Sequence, residues 1–175
     1  ADPALVTDEM RRGVRGIASF AGISAAMMDA LPSLELIASF GVGYDSVDVG
    51  HAATKNIMVT NTPDVLTEEV AHTAIGLLIN TVRDLPRAET WLRDGSWVRK
   101  GNYPLSRLTL RGRKAGIFGM GRIGQAIARR LEAFGLPVAY HNRRKVDGLS
   151  YQYHPTLKGL AEAVEAERLD VILDI

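Results

Sequence analysis

Along the chain, short apolar runs alternate with segments in which apolar positions recur every three or four residues. The runs read as strands and the periodic segments as helices, an order that builds parallel α/β sheets. Val14–Ser19 predicts a short strand. Ser24 starts a helix through Met27, Met28 and Leu31, which Pro32 ends. Leu34–Phe40 predicts a buried strand that runs into the glycine loop Gly41-Val42-Gly43. A short helix over Val49–Thr54 and a strand over Ile57–Thr60 follow. Thr67 is the expected N-cap of a long helix, with Glu68 and Glu69 in the first turn, where the helix dipole favours acids. Its apolar positions Val70, Ala71, Ala74, Ile75, Leu77, Leu78 and Val82 cover much of the circumference, which predicts a mostly buried helix. It reads as a strut between domains or a dimer element. Arg83–Arg99 predicts a second helix and turn, and residues 100–113 a connection.

The next stretch predicts a strand over Ala115–Phe118 and a helix over Arg122–Phe134. Ile123, Ala126, Ile127, Leu131 and Phe134 share one face of that helix, and Gly135 caps its end. Pro137–His141 predicts a second strand, with His154 in the loop after it. A helix over Leu157–Glu167 and a strand over Leu169–Ile175 complete the pattern.

Composition narrows what such a chain does. Its 175 residues give room for one ordinary domain or two small ones. An apolar share of 46% with 23% charged residues is that of a soluble globular protein, not a disordered one. A net charge of +1 offers no broad basic field, so no nucleic-acid partner is expected. The absence of cysteine excludes disulfides, thiolate metal sites and a cysteine nucleophile. No apolar run reaches the roughly 18 residues that span a bilayer, so no membrane partner is expected. The start Ala1-Asp2-Pro3 lacks a basic, apolar leader, and a cytoplasmic location is the expectation.

One motif carries chemistry. Gly119-Met120-Gly121-Arg122-Ile123-Gly124 is a GxGxxG between a predicted strand and helix, with a second strand beyond, which is the context of a dinucleotide site. Gly119 permits the tight turn, Gly121 lets the pyrophosphate approach the backbone, and Gly124 lets helix and strand pack closely. The helix N-terminus then faces the phosphates. The end of the second strand chooses the cofactor. An NAD site carries an acid there to bind the ribose hydroxyls. Here Asn142-Arg143-Arg144 stands in its place, and guanidinium groups match a phosphate, so NADP is expected. In the loop Gly41-Val42-Gly43, successive backbone N–H groups suit a carboxylate, although on spacing alone a plain tight turn is the better reading.

Together, Ser39–Asp45, Asn61–Thr67, Gly119–Gly124 and His141–Arg144 resemble the D-2-hydroxyacid dehydrogenase family, in its glyoxylate/hydroxypyruvate reductase branch. The resemblance implies an NADPH-dependent reductase of small 2-keto acids. It implies part of a flavodoxin-like substrate domain over residues 1–66, interdomain and dimerisation helices over 67–99, and part of a Rossmann NADP-binding domain over 100–175. The backbone N–H groups of Val42 and Gly43 would hold the substrate carboxylate, which reverses the reading of that loop. Leu66 and Val70 would lie near the nicotinamide, and residues 67–99 would form a homodimer. The family's substrate-orienting arginine and its proton-donating histidine, paired with a glutamate, have no matching motif here. His51, His72, His141 and His154 do not substitute well, so no catalytic residue and no reductase activity are expected of these 175 residues alone. A truncated module that binds NADP or supports assembly without catalysis is the alternative.

Overall fold

Parallel strand pairing organises both halves of the chain, which divides after Leu66 into two units. The computed structural model describes residues 2–165 and 172–174.

The first unit holds helix α1 (Asp8–Gly13), strand β1 (Gly16–Ser19), α2 (Ala25–Ala30), β2 (Leu36–Ser39), α3 (Val49–Thr54) and β3 (Met58–Thr60). Its three strands are parallel in the order β1-β2-β3. Each helix begins on a side-chain cap: Thr7, Ser24 and Asp48 accept from the N–H groups of Met10, Met27 and His51. Met28, Ile37, Val47, Ala52 and Ile57 form the core. β2 is shorter than its apolar run and is not buried throughout. Ile37 is enclosed, but Leu36 faces out beside its register partner Met58, itself 65% exposed. Strand geometry sends neighbours to opposite faces, and only one face of this sheet is covered there.

The second unit opens with α4 (Thr67–Arg83), α5 (Leu85–Arg93) and α6 (Ser96–Lys100). It continues through β4 (Ala115–Phe118), α7 (Arg122–Ala133), β5 (Val138–His141), β6 (Gln152–His154), α8 (Leu157–Glu165) and β7 (Ile172–Asp174). The sheet is parallel, in the order β6-β5-β4-β7. β4 is therefore central, and the order reverses between β4 and β7. Open α/β sheets bind ligands outside the strand C-termini at such a switch.

α7 carries Ala126, Ile127, Ala128 and Leu131 fully buried, and its small residues let α4 pack along it. Arg130 fastens the pair, donating to the Glu68 carboxylate and, at 2.9 Å, to His72 Nε2. The Arg130 guanidinium holds the Glu68 carboxyl below its ordinary range. α4, α5 and α6 thus belong to the second unit.

Several expectations are corrected. Thr67 is the first residue of α4, not its cap. α4 buries Ala71, Leu78 and Val82, but Val70 and Leu77 are exposed, because one packed helix covers only one stripe. The predicted helix over Arg83–Arg99 breaks at Gly95, whose φ of 75° is left-handed. Phe134 lies one residue beyond α7 and is exposed, not part of its buried face. His72, expected on a helix of the first domain, belongs to the second unit, and His154 ends strand β6 instead of lying in a loop. Residues 166–171 and 175, which include parts of the last predicted helix and strand, lie outside the described residues.

Candidate functional site

β4 is buried on both faces, as a central parallel strand requires, and its chain then turns sharply into α7. The three motif glycines do three different things. Gly119 has φ +104°, a conformation side chains disfavour, and its N–H reaches the His141 carbonyl at 3.0 Å. A Cβ on Gly124 would stand 2.0 Å from the Gly119 carbonyl oxygen and 3.4 Å from the Ile117 side chain. Helix and turn touch there, so the crowding is first with the turn and only then with the strand. Gly121 is the N-cap of α7, and a Cβ there would meet nothing within 4 Å. It supplies no side-chain acceptor to the first-turn N–H groups of α7. Met120 turns its side chain into the core, while Arg122 is exposed and Ile123 half-buried.

Phe118 and His141 are register partners, so the glycine turn and the loop after β5 leave the sheet side by side. That loop presents Asn142 with the exposed side chains of Arg143 and Arg144, which line a hollow of about 370 Å³. His141 stacks on Phe118 with ring centroids 5.4 Å apart and donates from Nδ1 to the His154 carbonyl at 2.9 Å. His154 Nε2 is buried and has no partner among the described residues.

In the first unit the loop Gly41-Val42-Gly43 follows β2. Asn61 Nδ2 donates to the Val42 carbonyl at 2.8 Å, and the Thr62 N–H to the Gly41 carbonyl at 2.9 Å. The loop is thus tied to the segment after β3 through its carbonyls. The N–H groups of Val42 and Gly43 have no partner among the described residues. Leu66 closes the first unit and Val70 lies on α4 in the second, both with exposed side chains.

The other histidines have local partners: His51 bonds Asp29 at 2.9 Å, and His72 bonds Arg130. Lys55 also reaches Asp29, and together with His51 it holds that carboxyl below its ordinary range. Among the described residues, no group of three or more acidic or histidine side chains could hold a metal ion. No described helix is long and apolar enough to cross a membrane.

β6, and with it the tyrosines around the arginine loop, is not among the elements the sequence pattern predicts. The alternation Tyr151-Gln152-Tyr153-His154 was the available signal, too short to stand out from a turn.

The profile described as D-isomer specific 2-hydroxyacid dehydrogenase, NAD binding domain, matches residues 75–172. Glyoxylate/hydroxypyruvate reductase A of Arabidopsis thaliana is 45% identical over 151 residues, 86% of this chain and 47% of that protein. A glyoxylate reductase of Thermococcus gammatolerans is 41% identical over 147 residues, 82% of this chain and 44% of that protein. An NADPH-dependent glyoxylate/hydroxypyruvate reductase of Sinorhizobium meliloti, crystallised with NADP and malonate, matches with a TM-score of 0.93 and 62% identity. That match covers 99% of this chain and 53% of the other. The chain spans about half the length of these relatives. With both the profile and the relatives in agreement, the chain belongs to the D-isomer specific 2-hydroxyacid dehydrogenase family.

Proposed function

We propose that the protein carrying this chain is an NADPH-dependent reductase of small 2-keto acids of the glyoxylate and hydroxypyruvate type. The observation that carries this reading is the pair Arg143 and Arg144, set beside the glycine turn where an NAD site would have an acid. The glycine turn fits a dinucleotide, because Gly121 leaves open the space a pyrophosphate would fill. In this reading Gly119, Met120, Gly121, Arg122, Ile123 and Gly124 form the pyrophosphate cradle, and Asn142, Arg143 and Arg144 grip the 2′-phosphate. When bound, the nicotinamide supplies a hydride to the keto carbon. Val42 and Gly43 offer two N–H groups to the substrate carboxylate, and Leu66 and Val70 offer apolar surface near the nicotinamide.

The proton donor is assigned to none of the four histidines. In this reading the family's substrate-orienting arginine and its histidine–glutamate pair lie outside these 175 residues. The test is steady-state reduction of glyoxylate and hydroxypyruvate by the full-length protein with each cofactor, alongside cofactor titration of the 175 residues alone. Expected are turnover that favours NADPH and, for the 175 residues, NADPH binding without turnover. Turnover favouring NADH would overturn the cofactor assignment, and glyoxylate reduction by the 175 residues alone would overturn the reading that the proton donor lies outside them.

The protein is further proposed to be a cytoplasmic homodimer that pairs through residues 67–99. The support is apolar surface on these helices: Leu77 and Leu92 are each 61% exposed and Val98 87%. Replacing Leu77 and Leu92 together by glutamate is expected to convert the dimer to monomer in sedimentation velocity. An unchanged sedimentation coefficient would move the interface elsewhere.

A further inference from the structure

The loop that carries the arginines is held at both ends by a pair of tyrosines. Tyr140 and Tyr153 are register partners on β5 and β6, and their rings lie 5.3 Å apart at 50°. The Tyr153 hydroxyl donates to the Asn142 carbonyl at 3.3 Å, where the loop begins. The Tyr140 hydroxyl accepts from the Val146 N–H at 3.0 Å, where it ends. Arg143 and Arg144 lie between these two anchors. Tyr140 is fully buried, so the core fixes its hydroxyl. Val146, Leu149, Tyr151 and Tyr153 pack against the same core, and Tyr151 adds a bond to Glu132 at 2.9 Å.

We infer that Tyr140 and Tyr153 are positioning residues for cofactor choice: they hold the Asn142–Val146 loop so that both guanidinium groups face the 2′-phosphate. Neither hydroxyl needs to touch the cofactor. Long arginine side chains lose rotamer and backbone freedom when they bind, and a loop already fixed at both ends has less to lose. The inference rests on the proposed NADPH preference. NADH has no 2′-phosphate, so its affinity does not depend on where the guanidinium groups sit. A merely structural pair of tyrosines would affect both cofactors alike.

The test measures dissociation constants for NADPH and NADH, with a thermal melt, in the full-length protein and its Tyr153→Phe and Tyr140→Phe variants. Tyr153→Phe is expected to weaken NADPH roughly three- to tenfold, the range of one net hydrogen bond, and to leave NADH within about twofold. Tyr140→Phe is expected to reduce selectivity in the same direction; if it fails to fold, Tyr153→Phe decides. Unchanged selectivity in Tyr153→Phe, or equal weakening of both cofactors, overturns the inference while the wild type still prefers NADPH. A wild type with no such preference overturns the cofactor reading, and this inference with it.

Discussion

Replacing Gly124 by alanine is expected to lower stability by about 3 kcal/mol and to remove measurable NADPH binding. The added Cβ would lie 2.0 Å from the Gly119 carbonyl oxygen, well inside contact distance. The neighbour is backbone, so no rotamer change can relieve the overlap. Either α7 moves away from β4 or the Gly119 turn opens. The first loosens the packing of Ala126, Ile127 and Leu131, and the second displaces the proposed pyrophosphate cradle. Overpacking a filled interior costs about 1–3 kcal/mol, and a rigid neighbour puts this change at the upper end. Urea unfolding and fluorescence titration of NADPH check both effects. Gly121→Ala is the matched control, since its Cβ meets nothing within 4 Å and its φ of −77° suits alanine. It should keep the wild-type unfolding midpoint and lose affinity only. A Gly124→Ala protein with wild-type midpoint and affinity would show that the turn is not the crowded element described.

The second large effect is expected from Arg143→Ala combined with Arg144→Ala. Hydrogen bonds to charged groups contribute about 1.5–3 kcal/mol each, so losing both guanidinium groups should weaken NADPH by roughly 10²- to 10⁴-fold. NADH should bind nearly as before. Both side chains are exposed, so neither supports the core, and the melting temperature should hold. Salt supplies an independent check. Wild-type NADPH affinity should fall with ionic strength more steeply than that of the variant, because screening acts on exposed charge pairs. A double variant that keeps its NADPH preference would mean that the 2′-phosphate is bound elsewhere.

What the sequence disclosed follows the range of the interactions. β4, α7 and β5 were legible because each announces itself locally, through an apolar run, a helical period or a glycine turn. α3 appears over Val49–Thr54 as the pattern placed it. The arginine pair was legible because it closes a strand whose place in the motif was already known. β6 was not, since three residues of alternation look like any turn. The tyrosine pair was invisible for a related reason: parallel register, not spacing along the chain, sets Tyr140 beside Tyr153. α4 was half legible. Its apolar residues were apparent, but which stripe would meet α7 and which would stay exposed depends on a partner far along the chain.

The unequal duties of the three glycines bear on how such a site would age. A descendant that no longer bound a dinucleotide would still favour Gly124, since a Cβ there would crowd the Gly119 carbonyl oxygen at 2.0 Å. It would still favour Gly119, whose backbone angle most side chains resist. In the proposed reading Gly121 alone serves only the pyrophosphate, since a Cβ there would meet nothing within 4 Å, and it would be free to drift. The signature of a retired site in this fold is therefore a motif that keeps its first and last glycines and has lost the one between them.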